Sequence, residues 1–283
     1  MPAILSCTDG SLYARSIYDH TAWAAARLAA EVHVLHMLEH PEQRARDDIS
    51  GAIGLDASAE LLNELVTLAE TQGRLAQTRA RAILEVARAH LTQAGVTKVV
   101  LEQRHGALVD SIGHFDATAD LVVIGKRGEH ADFAKLHLGS NLERVIRTCR
   151  HPVLIASRAF RPIERFLLAY DGSPSVVKAV DFVLQNQLLR GLECHLLRAG
   201  NIDDQARYYL DETAGKLRAA GYAVTPHAIS GPAEETIART VKEQRADLLV
   251  MGAYGHSRIR QLIIGSATTT MIRTVSVPVL VFR

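Results

Sequence analysis

The 283-residue sequence predicts two tandem α/β domains, each a doubly wound, Rossmann-like five-stranded parallel sheet with strand order 3-2-1-4-5. Three observations point there. First, segments repeat: "ILSCTDGS" at 4–11 returns as "LLAYDGS" at 167–173, "ADLVVIG" at 119–125 as "ADLLVMG" at 246–252, and "VIRTCRHPVLIAS" at 145–157 as "MIRTVSVPVLVFR" at 271–283. That period is too long for a solenoid unit and marks a duplicated domain. Second, the apolar strands are short, lack clean alternation and are separated by helical patterns, as a parallel sheet covered on both faces requires. Third, the length suits two compact domains better than one. The expected boundaries are 1–158 and 164–283, joined by the short basic seam "SRAFRPIER".

The first half opens on an apolar run ending at Asp9, followed by "SLYARSIYDHTAWAAARLAAE", which carries Ile17, Trp23 and Leu28 at helical spacing. "VHVLHML" reads as the second strand, 61–94 as a long Ala- and Arg-rich helix, "KVVLEQR" as the third strand and 107–117 as a helix. "DLVVIG" and "PVLIA" are the fourth and fifth strands. The second half repeats the plan with a shorter segment after its second strand. The surplus in the first half falls at 40–80, a polar stretch with Gly51, Gly54 and Gly73 that reads as a loop plus a helix extension.

Composition narrows the function classes. With 48% hydrophobic residues, 22% charged residues and a net charge of +1, the chain lacks the field that steers proteins onto nucleic acid or acidic lipid. The start "MPAILSCTDGS" has no basic leader region, and no eighteen-residue apolar run occurs, so the expectation is a cytoplasmic protein with neither nucleic-acid nor membrane partners. Cys7, Cys149 and Cys194 are far apart and suit buried thiols in a reducing compartment.

In a sheet of this order, ligands bind at the carboxyl ends of the strands where the order reverses, between strands one and four. In the second half Asp171 follows strand one and "GAYG" follows strand four, so both face one crevice. Gly252 and Gly255 leave room for a ligand close to backbone, and Gly265-Ser266 opens a helix whose free N–H groups and dipole favour phosphate. Ser266 can cap that helix and donate to a phosphate oxygen. His256, Arg258 and Arg260 offset polyphosphate charge, and the Asp171 carboxylate suits ribose hydroxyls. Neither G-x-x-x-x-G-K-[ST] nor G-x-G-x-x-G occurs. Instead, nine residues separate Gly255 from Gly265-Ser266.

That glycine spacing, the "DGS" after strand one, the helix entered by "GSATTTMIRT" and the terminal "PVLVF" together resemble the nucleotide-binding universal stress proteins, and the whole chain looks like a tandem member. The resemblance implies that Asp171 meets the ribose, that Ala199 at the end of strand two lies beside adenine, and that Met251 and Gly252 line the base and sugar. It places Gly255, Gly265, Ser266 and Ala267 on the phosphates. The implied ligand is ATP, or ADP or AMP, with magnesium; the implied role is a stress-response sensor or regulator whose conformational population the nucleotide shifts. Slow ATP hydrolysis or phosphoryl transfer, and a nucleotide-free scaffold, are the other readings. The missing Walker lysine, and the lack of an evident general base beside 252–266, argue against turnover.

The first half departs from the pattern. Asp9, Met37, Gly125, Gly128, Gly139 and Ser140 occupy matching places, but ten residues separate Gly128 from Gly139, and Asp132 adds an anion to that loop. A weaker or altered second site is expected there. The resembled family pairs through its last strand, which implies an intramolecular pseudo-dimer joined by Pro152–Ala156 and Pro278–Phe282, with a homodimer of whole chains as a further expectation.

Other features have plainer readings. His33, His36 and His40 resemble metal spacing, yet His33 and His36 point to opposite faces of a strand. Glu234 and Glu235 suit a helix start after Pro232. The arginines of "RLAQTRARAILEVARAH" fit a solvated helix face, and Ser173-Pro174-Ser175 fits a helix N-terminus before it fits a phosphorylation site.

Overall fold

Strands and helices alternate through both halves. The computed structural model describes residues 1–38, 59–115, 118–126, 140–253 and 266–283. The first half contains β1 (Ala3–Thr8), α1 (Ala14–Leu28), β2 (Glu31–Leu38), α2 (Ala59–Gln93), β3 (Val99–His105), α3 (Leu108–Gly113), β4 (Leu121–Gly125), α4 (Ser140–Thr148) and β5 (Val153–Ala156). The second contains β6 (Arg165–Ala169), α5 (Pro174–Gln185), β7 (Glu193–Gly200), α6 (Asp204–Ala219), β8 (Val224–Ser230), α7 (Ala233–Glu243), β9 (Leu248–Gly252), α8 (Ser266–Thr274) and β10 (Val279–Phe282).

Local chemistry sets the boundaries. Every residue of β1 is buried, so its run of apolar and small residues needs cover on both faces. Pro174 occupies the first turn of α5, where its missing N–H costs nothing. Asp203 caps α6 by accepting from the Ala206 N–H at 2.7 Å. The helix expected over 107–117 is the shorter Leu108–Gly113, and the one expected from residue 11 begins at Ala14. Residues 39–58 of the surplus segment lie outside the described residues, and Ala59 onward is helix.

Each half has the expected strand order. The halves do not keep separate sheets: the order is β3-β2-β1-β4-β5-β10-β9-β6-β7-β8. β5 and β10 pair antiparallel, with Ile155 opposite Val279, Leu154 opposite Leu280 and Val153 opposite Val281. The other strand pairs are parallel.

Because side chains alternate across a strand, this one sheet supports two cores, and each crosses the seam. On one face Ile4, Val34 and Leu91 join Leu154, Phe166, Leu196 and Leu217 in a single buried cluster. On the other, Leu5, Val122 and Ile146 join Ile155, Leu249, Ile272 and Val281. The C-terminal part of α2 contributes Leu84, Ala87 and Leu91 to the first face, while Val66, Leu68 and Leu75 are exposed. The three cysteines are buried and form no disulfide, and burial pushes the Cys7 and Cys194 thiols up to about 12.

Polar contacts also cross the seam. Arg27 of α1 donates to the carbonyls of Leu188 and Arg190. Lys126 Nζ donates to the carbonyls of Val275 at 2.7 Å and Val277 at 2.8 Å, and Arg283 Nη1 donates to the Thr148 carbonyl at 3.2 Å. Ser16 Oγ donates to the Ser157 carbonyl at 2.7 Å, pinning the start of the connecting segment onto α1. The fully buried His20 lies beside it, with Nδ1 2.6 Å from the Ser16 carbonyl and Nε2 3.4 Å from Ser157 Oγ.

Burial lowers the His20 pKa from 6.5, against the opposing hydrogen bond to Ser16. Below that value the unfolded chain takes up a proton that the folded chain resists, so stability falls as the pH drops. Urea unfolding of wild type and His20→Gln should therefore show a larger loss in the wild type between about pH 7 and about pH 5. His195 and His227, also lowered mainly by burial, are present in both chains and cancel. A difference that does not change with pH would refute the assignment.

Candidate functional site

Three chain segments meet at Gly252, the last residue of β9. The first is the turn after β6. Asp171 Oδ1 accepts from the Ser173 N–H at 2.9 Å, and Gly172 adopts φ 76°, where only glycine sits without strain. The Tyr170 N–H donates to the Leu197 carbonyl at 2.8 Å, so the turn is fixed to β7. The second segment is the first turn of α5. A Cβ on Gly252 would lie 2.3 Å from Ser175 Oγ, 3.1 Å from its Cβ and 3.3 Å from the Val176 nitrogen. The glycine that the sequence suggested as space for a ligand is thus required for packing of strand against helix.

The third segment is the N-terminus of α8. Thr268 is buried, and its Oγ1 donates to the carbonyls of Ala253 at 2.9 Å and Gly252 at 3.3 Å. This hydroxyl ties the helix start to the strand end, bringing the unpaired N–H groups of the first turn to the crevice mouth. Sequence reasoning did not single out Thr268. The signal was a hydroxyl in the first turn of a helix directly after a glycine loop.

The other expected residues fall as follows. Ala199 is the next-to-last residue of β7, toward this crevice, and is partly buried. The Met251 side chain is 5% exposed and packs in the core on the α7 and α8 face. Ser266 and Ala267 begin α8. Gly255, Arg258 and Gly265 lie outside the described residues, as do His256 and Arg260.

The first half builds the same turn and then closes it. Asp9 Oδ1 accepts from the Ser11 N–H at 2.9 Å, and Gly10 has φ 73°. A Cβ on Gly10 would meet the Ile83 side chain at 2.5 Å, whereas at Gly172 it would meet nothing within 4 Å among the described residues. The position matching Thr268 is Leu142, a buried side chain with no hydroxyl to hold the helix start. Met37 is the next-to-last residue of β2, Gly125 ends β4, Ser140 begins α4, and Gly128, Gly139 and Asp132 lie outside the described residues.

Among the described residues His33 and His36 have separate partners. His33 contacts Glu31 at 3.1 Å and Glu102 at 3.6 Å, while His36 Nδ1 lies 2.9 Å from the Thr8 carbonyl. His40 lies outside the described residues, among which no cluster of three metal-ligating side chains occurs. No helix is long and apolar enough to cross a membrane among those residues.

A duplicated doubly wound α/β domain, with a like turn at each switch point, is the class that fold and site define. The model of the universal stress protein family matches residues 1–157 and again 162–283, and the chain belongs to that family. Universal stress protein Slr1230 of Synechocystis is 40% identical over 287 residues, covering 100% of both chains. Universal stress protein MJ0577 of Methanocaldococcus jannaschii is 23% identical over 82 residues, 29% of this chain and 51% of that protein. A universal stress protein from Archaeoglobus fulgidus shares the fold across 99% of this chain and 98% of its own, with a TM-score of 0.73 at 22% identity.

Gly252 supplies a direct test of the crevice packing. Gly252→Ala should cost about 1–3 kcal/mol in urea unfolding, because its methyl overlaps Ser175. Ser175→Gly removes the two nearest atoms, so the double variant should be more stable than additivity allows. Additive losses would show that the strand end and α5 do not touch as described.

Proposed function

We propose that this stress protein binds an adenine nucleotide, ATP or its di- or monophosphate, in the crevice of its second half and acts as a nucleotide-responsive sensor. One observation carries the reading: the turn at Asp171-Gly172 is open where its counterpart at Asp9-Gly10 is covered, and it shares the crevice with a helix N-terminus that Thr268 holds in place. Asp171 presents a carboxylate oxygen toward ribose hydroxyls, Ala199 leaves room beside the base, and the start of α8 offers N–H groups to phosphate. Gly255, Arg258, Gly265, Ser266 and Ala267 complete the phosphate contacts. No acidic cluster waits for a cation among the described residues, so magnesium would arrive with the phosphates. The first half, with Asp9, Met37, Gly125, Gly128, Gly139 and Ser140, is the weaker site.

Calorimetric titration with Mg-ATP tests this. Asp171→Ala should weaken binding by about 1.5–3 kcal/mol, the range for a hydrogen bond to a charged group. Gly265→Val should abolish it, since a β-branched side chain would fill space meant for phosphate. Asp9→Ala should change less. Equal losses at Asp9 and Asp171 would overturn the asymmetry, and undiminished binding in Gly265→Val would overturn the site.

The same reading makes the chain a single-chain counterpart of a dimer, with 1–158 and 164–283 as its units. The antiparallel β5–β10 pair supports this, because it covers what would be an apolar edge on either half alone. Expressed separately, each half should self-associate or lose stability in size-exclusion and urea experiments. Monomeric halves of full stability would show the pairing to be dispensable.

A further inference from the structure

A second cleft of about 810 Å³ opens at the seam, where the carboxyl end of β5 meets the amino ends of β6, β9 and β10. It abuts Gly125 of the first half, but most of its wall is the connecting segment and the ends of α7 and α8. Its charge is far from that of the chain as a whole. Lys126, Arg158, Arg161, Arg165, Lys242, Arg245 and Arg273 line it, against the single carboxylate of Asp247, in a protein of net charge +1.

The structure does not use up this charge. Among the described residues, no carboxylate lies within 4.0 Å of any of the seven cationic groups. Asp247 turns Oδ2 to the backbone N–H groups of Glu164 and Arg165, each at 3.0 Å. Lys242, Arg245 and Arg273 do sit at helix C-termini, where cations are favourable. Two such ends carry about one negative charge together, however, and leave most of the cleft's positive charge without a counterpart.

Three details describe a built site rather than a solvated face. Arg158 and Arg161 belong to a segment anchored by the Ser16–Ser157 contact, so the linker is held against the cleft. Arg245 adopts φ 50°, a conformation that glycine occupies at far lower cost at the end of a helix. Lys126, with two carbonyl partners across the seam, has one ammonium N–H beyond those two. Burial pushes that ammonium down to about 8, which a bound anion would reverse.

We propose that this seam cleft is an interdomain site for a small multiply phosphorylated anion, gripped by Arg158, Arg161, Arg165, Lys242, Arg245 and Arg273. Guanidinium forks match phosphate oxygens in pairs, and a concave space of this size takes a small molecule rather than a flat protein surface. The site is independent of the nucleotide reading, because Asp171 and α8's first turn do not line it.

The test is calorimetric titration of the full chain with inorganic tripolyphosphate at low salt. Wild type should bind it, and Arg158→Ala/Arg161→Ala should weaken the affinity about tenfold or more, the scale of losing two charge-assisted contacts. Arg245→Gly should weaken it as well while keeping or raising Tm, an outcome that a purely structural role for Arg245 does not produce. A parallel titration with adenosine, which carries no phosphate, reads the crevice alone and should be unaltered by the double variant. Failure of wild type to bind tripolyphosphate, or equal affinity in wild type and the double variant, would overturn the proposal.

Discussion

Pairing of β5 with β10 is the constraint on which the rest of this structure depends. Both strands are four residues long and buried throughout, so neither can end a sheet exposed to water without leaving backbone groups and apolar side chains unpartnered. Joined antiparallel, they turn two five-stranded sheets into one and let both cores run through the seam. The antiparallel sense reverses one half relative to the other. It therefore places the carboxyl ends of the first half's strands beside the amino ends of the second half's, which is where the seam cleft forms.

Against that shared frame, the two halves treat their switch points differently. The turn of Asp9 and that of Asp171 have the same geometry, each closing on a serine N–H at 2.9 Å. Their surroundings decide between them. Ile83 comes from α2, a 35-residue helix that begins within the surplus segment, and it covers Gly10. The helix after β7, α6, is 16 residues long, and no described residue covers Gly172. Leu142 in place of Thr268 then exchanges a polar tether for apolar packing at the start of α4. These differences act in the same direction and reinforce the longer loop after Gly128.

Much of the fold was legible because the sequence states it twice. The repeated strand segments located β1, β4 and β5 and their counterparts, and helical spacing after each located α1 and α5. The order 3-2-1-4-5 followed from the class. Pairing of the two halves through their last strands was expected from two apolar ends in need of cover and from the family resemblance; that it fuses the sheets into one was not. Within the site, Asp171 and the helix start of α8 could be read from type and spacing. The part played by Gly252 could not: a glycine beside a ligand and a glycine beside Ser175 look identical in a sequence, since both follow from the absence of a Cβ. Ile83 was illegible for a different reason, because helical periodicity says which face a residue occupies but not which distant turn it meets.

The seam also explains how the basic connecting segment acquires a function it would lack as a linker. In an extended chain, Arg158, Arg161 and Arg165 would be separately hydrated and would contribute little to anion affinity, because ordering long side chains costs entropy for each contact made. Here Ser157 fixes one end of the segment to α1, and β6, which begins at Arg165, fixes the other to the sheet. The helix ends bearing Lys242, Arg245 and Arg273 are held by the same sheet. Much of the backbone entropy of gathering this charge is thus lost on folding, before any ligand arrives. Concentrating it costs stability through like-charge repulsion, which the two core clusters offset. A charge arrangement of that kind persists at the junction because β5 and β10 cannot part without exposing both cores.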